Sequence, residues 1–185
     1  MTLLADLTLD RFDPAQDSEL LHSWVVADRA RFWMMQEHTV EEVREIYTWL
    51  DEQPTHHVYL VRRGGEPVAL YQDYEPTAEE IGGRYDVLPG DLGVHFMLAE
   101  ATVAQPRFTA TVVGFLLARV FADPAVQRLV VEPDVRNAKA VALVKRLGFE
   151  LGPVVELSTK PAQLAFLTRA AYESGRSAKP ATALG

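Results

Sequence analysis

The chain has 185 residues, 48% of them hydrophobic, which is enough for one domain with a real core, and it has no cysteine, which excludes disulfides, thiolate metal sites and a cysteine nucleophile. A net charge of −8 excludes broad contact with a nucleic-acid backbone, yet leaves room for a small anion held by local dipoles. The opening MTLLADLTLDRF lacks the basic flank and long apolar run of a secretory signal, and no stretch approaches the roughly 20 apolar residues of a membrane span, so a cytoplasmic protein without a membrane partner is expected.

In chain order, residues 13–26 predict a first helix, with Leu20, Leu21, Trp24 and Val25 in one apolar stripe. Thr39 and Glu42 form a capping box for a second helix over about 40–50. HVYLVRRGGEPVALYQDYE reads as a hairpin, two β-rich runs turning at Gly64 and Gly65. Residues 91–98 predict a strand with Leu92, Val94, Phe96 and Leu98 on one face and Gly93, His95 and Met97 on the other. An apolar helix over about 108–121 stops near Asp123 and Pro124. A strand at 128–132 leads to a helix at 137–147, with Ala140, Leu143, Val144 and Leu147 on its buried face. Lys145 and Arg146 suit the negative end of that helix, and Gly148 suits its C′ position. Strand-like runs at 152–158 and 162–168 flank Lys160 and Pro161.

The resulting order, α-α-β-β-β-α-β-α-β-β, predicts an α/β (α+β) fold. One domain over residues 1–173 would carry a mixed, mostly antiparallel sheet with a central parallel strand pair, flanked by helices. Residues 174–185 are small and polar and are expected to form a flexible tail.

Residue types alone leave the chemistry open. His95 beside Gly and Met in a strand suits a structural or a catalytic histidine. Asp134 in EPDVRN is ordinary turn chemistry, and Asn137 is economically a helix cap. Trp33, Met34 and Met35 in RFWMMQ suit a core plug as well as a substrate wall. His22, His38, His56 and His57 give no metal-ligand spacing with a carboxylate on one element, so no metal is expected.

The order of elements, with Asn137, Ala140, Leu143, Leu147, Gly148 and Phe149 spelling N-x-x-A-x-x-L-x-x-x-L-G-F, resembles the GNAT superfamily of acyl-CoA-dependent N-acyltransferases. The stretches GDLGVHFML, FADPAVQRLVVEPDVRN and RFWMMQEHT look like its branch that acylates N-hydroxylated diamines or amino acids in hydroxamate siderophore biosynthesis, part of iron acquisition. That similarity runs from about Phe12 to Tyr172. The resemblance implies a splayed parallel strand pair that admits the pantetheine arm, with acetyl-CoA or succinyl-CoA as co-substrate. It implies His95 as the base that takes the N–H proton, and Asp134 as the group that orients the imidazole or holds the N–OH. A main-chain N–H at Met97 or Leu98 would hold the carbonyl oxygen. Arg107, Phe108 and Thr109 would receive the coenzyme phosphates, and Asn137 the pantetheine. Trp33, Gln36 and Glu132 would line the site of an N-hydroxylated amine.

Two departures stand out. Val144 takes the place of the tyrosine that protonates the leaving thiolate in many superfamily members, and 104–114 has no glycine before Gly114 where a Gly-rich phosphate turn is usual. A GNAT enzyme acting on an aminoglycoside or a protein N-terminus, and a non-catalytic acyl-CoA-binding domain, are the alternative expectations. The oligomeric state is left open.

Overall fold

A computed structural model describes residues 6–100 and 107–177. The element order is β1 (Leu7–Arg11), α1 (Pro14–Val25), α2 (Val40–Glu52), β2 (His56–Arg63), β3 (Glu66–Tyr74), β4 (Asp91–Leu98), α3 (Phe108–Val120), β5 (Arg128–Val131), α4 (Ala138–Arg146), β6 (Glu150–Glu156), β7 (Pro161–Thr168) and α5 (Arg169–Ser177). The strands form one seven-stranded sheet in the order β1-β2-β3-β4-β5-β7-β6. β4 and β5 are its parallel pair; β1–β2, β2–β3, β5–β7 and β6–β7 are antiparallel. This is the mixed α/β sheet expected from the pattern of elements. The chain divides into two compact units, one comprising the chain up to Tyr74 with His95–Val120, the other Glu75–Val94 with the chain from Phe121.

Local chemistry sets the boundaries in the first unit. Asp13 caps α1 by accepting from the Ala15 amide at 2.9 Å, and Pro14 starts the helix, where its missing N–H costs nothing. Thr39 and Glu42 complete the expected capping box on α2, with Glu42 accepting from the Thr39 amide at 2.7 Å. Gly64 and Gly65 take φ of 57° and 90°, the positive values that a two-residue hairpin turn requires. Between α1 and α2, Asp28–Trp33 is a 3₁₀ helix ended by Met34 in the left-handed region. The apolar faces of α1 and α2 close over β2 and β3, burying Leu21, Val25, Val43, Tyr47, Leu60 and Leu70.

The second unit is tied by ions as well as by apolar packing. Arg128 at the start of β5 donates to both Asp91 oxygens, Nε at 2.7 Å and Nη2 at 2.6 Å, beside its register partner on β4. The Tyr85 hydroxyl and the Leu88 amide donate to the same carboxylate. Burial works against that charge, and the bonds from Arg128 and Leu88 outweigh it, holding the Asp91 carboxyl below its ordinary value. Gly90, at φ 85°, lies so close to the Ala125 carbonyl that a Cβ would sit 2.7 Å from it, so no other residue fits. α4 ends in a full Schellman motif, Phe149 N–H to the Val144 carbonyl and Gly148 N–H to that of Lys145, with Gly148 at φ 90°.

The sequence pattern did not anticipate β1 or α5. β1 is an edge strand of five residues with only Leu7 buried, and its partner β2 is far along the chain. α5 contains Gly175, and it is anchored by Tyr172 stacking on Phe121 at 4.5 Å and by Arg169 donating to the Phe121 and Val126 carbonyls. Residues 178–185, most of the expected tail, lie outside the described residues.

Candidate active site

β4 carries His95 where the alternation of the strand requires, on the face of the buried Gly93 and Met97. Met97 belongs to the core of the first unit, and Leu98 is half-buried. Two aromatic rings meet the His95 imidazole. Trp33, at the end of the 3₁₀ helix, approaches edge-on with centroids 6.1 Å apart and planes at 74°. Tyr74, the last residue of β3, lies 5.0 Å away at 43°. Trp33 is held in turn by its indole N–H, which donates to the Tyr47 hydroxyl at 3.3 Å. Burial of Tyr47 pushes its phenol far above the ordinary value, so it stays a neutral hydroxyl at any working pH. Two residues singled out separately from the sequence, Trp33 and His95, are therefore brought together. Met35 plugs the core, Met34 is exposed, and Gln36 just beyond them is exposed as well.

The start of α3 repays attention because glycines are missing there. Residues 101–106, and with them the first part of the expected phosphate turn, lie outside the described residues. Arg107 follows with φ 63°, one of two non-glycine residues with positive φ among the described residues. It takes the left-handed conformation that a glycine would supply. Its carbonyl accepts the Thr111 amide and hydroxyl, so the amides of Phe108, Thr109 and Ala110 form the open first turn of a 13-residue helix. Arg63 lies over the Phe108 ring at 5.7 Å. The positive end of the α3 dipole, Arg107 at its start and Arg63 over Phe108 make this end of the helix electropositive. Pairing of β4 with β5 also stops early: its register covers Asp91, Leu92 and Gly93, while β4 continues to Leu98.

In the second unit the chain after β5 gathers charge. Asp134 is buried, and Arg136 occupies its carboxylate: the main-chain N–H donates to Oδ1 at 2.8 Å, Nε to Oδ1 at 2.9 Å and Nη2 to Oδ2 at 2.6 Å. These bonds from Arg136 hold the Asp134 carboxyl below its ordinary value despite burial, helped by the charge of Lys160. Main-chain bonds fix the segment, Val135 N–H to the Pro161 carbonyl and Gln163 N–H to that of Pro133. Glu132 is also buried and receives Lys160 Nζ at 3.5 Å. Asn137 caps α4, accepting from the Ala140 amide at 3.2 Å. Val144 is buried on α4 and offers no proton.

Tyr74, Arg136 and Lys160 were not singled out from sequence. Arg136 had a signal, since an arginine two residues after an aspartate can fold back on it. Tyr74 had none beyond its place in a strand. Among the described residues no group of three or more His, Cys, Asp or Glu is placed to hold a metal, and no helix is long and apolar enough to cross a membrane.

Known proteins share this architecture. The aminoglycoside N(6′)-acetyltransferase type 1 of Klebsiella pneumoniae is 27% identical over 168 residues, covering 87% of this chain and 83% of that enzyme. The N-hydroxyputrescine acetyltransferase of Acinetobacter baumannii is 29% identical over 108 residues, 58% of this chain and 51% of that one. The structure of AAC(6′)-Ib in complex with ribostamycin and coenzyme A superposes with a TM-score of 0.81 at 25% identity, over 94% of this chain and 99% of that one. Residues 13–157 match the acetyltransferase (GNAT) domain family. With that family match, N-acetyltransferase relatives and a similar structure that holds coenzyme A, the chain belongs to the GNAT family and is an acyl-CoA-dependent N-acyltransferase.

Proposed function

We propose that this acyltransferase moves an acetyl, succinyl or similar group from acyl-CoA to the hydroxylamine nitrogen of an N-hydroxylated diamine or amino acid, forming a hydroxamate. The observation that carries the reading is the His95 imidazole flanked by Trp33 and Tyr74. The flat indole of Trp33 suits the methylene chain of such an acceptor. A hydroxylamine is less basic than an alkylamine, so much of it is neutral near pH 7 and an imidazole suffices as base.

In this reading the acceptor nitrogen attacks the thioester carbonyl, the N–C bond forms and the C–S bond breaks. His95 takes the N–H proton as the bond forms, and the imidazolium returns it to the departing thiolate or to solvent. Main-chain N–H groups at Met97 or Leu98 steady the carbonyl oxygen. Arg107, Phe108, Thr109 and Arg63 hold the phosphates, and Asn137 meets the pantetheine. Asp134, with Arg136 on it, presents an acceptor and donors to the N–OH, and Gln36 and Glu132 complete the acceptor's surroundings.

A second reading, acetylation of an aminoglycoside, is favoured by the greater coverage of the Klebsiella relative. An acceptor panel separates the two. N-hydroxyputrescine, N-hydroxycadaverine, N-hydroxylysine, their unhydroxylated parents and ribostamycin are incubated with acetyl-CoA and succinyl-CoA, and products are read by mass spectrometry. A hydroxamate formed at least tenfold faster than any other product is expected. Preference for ribostamycin or for the parent amines would overturn the first reading.

A further inference from the structure

Tyr74 is buried at the end of β3 and meets two imidazoles. His56 of β2 stacks on it nearly parallel, at 16° and 5.9 Å, and its Nδ1 is in turn bonded to the Thr55 hydroxyl at 2.9 Å. The His95 ring of β4 approaches it tilted, with centroids 5.0 Å apart and planes at 43°. A phenol ring pinned by burial and by a stacked neighbour cannot turn away from the third ring. Its face carries the negative lobe of the aromatic quadrupole, and a cation within about 6 Å of that face is attracted to it. A neutral imidazole gains little from this. An imidazolium gains much more.

We propose that Tyr74 is a positioning residue for the transfer: it fixes the plane of the His95 ring and stabilises the charge that His95 acquires on taking the acceptor's proton. The idea rests on His95 being the base and adds the group that makes it a better one. The stabilisation grows as the proton arrives, so it lowers the barrier rather than tightening the ground state, and its signature is in kcat. Trp33 meets the same imidazole nearly perpendicular, an arrangement that restricts the ring's rotation about its second torsion.

The test keeps the volume at position 74 and drains the ring. Tyr74→Phe is compared with the same variant carrying two and then three ring fluorines, each of which weakens the negative face. Melting temperature and acetyl-CoA calorimetry confirm that each protein is folded and binds coenzyme. Tyr74→Phe is expected to retain kcat within about threefold, and the fluorinated series to lose about tenfold in steps, with KM for acyl-CoA unchanged. A flat series overturns the inference, as does a loss in Tyr74→Phe equal to that of the trifluorinated protein, or a loss confined to KM. His95→Gln run alongside separates the two layers. If it keeps near wild-type turnover, the base assignment itself falls; a flat series in an enzyme that His95→Gln silences removes only the role of Tyr74.

Discussion

His95 and Asp134 are held by different physics. Around His95 the partners are rings: Trp33 and Tyr74 meet the imidazole, and Tyr47 steadies Trp33 through one hydrogen bond. Around Asp134 the partners are charges, with the Arg136 guanidinium on the carboxylate and Lys160 on neighbouring Glu132. A related contrast separates the two units. Both carry ion pairs, but those on a fully buried carboxylate, Asp91 with Arg128 and Asp134 with Arg136, lie in the second, while Arg11 with Asp51 and Arg62 with Asp10 in the first are more exposed. Rings fix the imidazole by shape. Ion pairs keep a carboxylate in one state and make the fold depend on that state.

The largest effect should come from breaking the ring side. His95→Gln keeps volume and polarity but cannot carry the proton, so kcat should fall by about 10²- to 10⁴-fold while acetyl-CoA still binds by calorimetry. A loss of less than tenfold would remove the distinction drawn here for His95.

The charged side should break through stability. Arg128→Met leaves the Asp91 carboxylate buried without its main partner and should cost about 3–5 kcal/mol in denaturant unfolding. Acid sharpens the same point. Asp91, Asp134 and Glu80 all have carboxyls depressed by their partners, with Glu80 brought to about 2 by Arg84 first and Ser158 next. A depressed carboxyl stabilises the fold above its ordinary value, and that contribution is lost as pH falls through the folded value. Hydrogen exchange followed from pH 5 towards pH 2 should therefore show β5, β6 and β7 losing protection before β2 and β3. The reverse order would contradict the placement of the buried, depressed carboxylates in the second unit. Glu42, depressed by the Thr39 amide, is the exposed exception in the first unit.

The smallest effect lies on the ring side. The Tyr71 hydroxyl is buried without a hydrogen-bond partner, with the Asp73 carboxylate beside it but not in bonding geometry. Tyr71→Phe removes an unsatisfied polar atom, so unfolding free energy should stay within about 1 kcal/mol of wild type or rise slightly.

What could be read beforehand divides along the range of the interaction. The capping box at Thr39, the turn at Gly64 and Gly65, the end of α4 at Gly148 and the alternation that places His95 are set by residues within one turn or one strand. The edge strand β1 and the helix α5 depend on distant partners, β2 for one and Phe121 for the other, and were not legible. The same holds at the site. Trp33 came into view only through resemblance, and Tyr74 reaches His95 through strand pairing that no local pattern spells out. Arg136 is the instructive exception, because its bond to Asp134 is local and was nonetheless overlooked.

Arg107 joins two demands in one residue. Its positive φ bends the backbone into α3, at a conformational cost of about 1–3 kcal/mol for a side chain other than glycine, and it puts a cationic residue immediately before the helix. A glycine there would relax the bend and forfeit the cation; any other side chain would keep the tension and gain nothing for it. The backbone at this position thus favours the one residue without a side chain, while the chain carries one of its longest cations there.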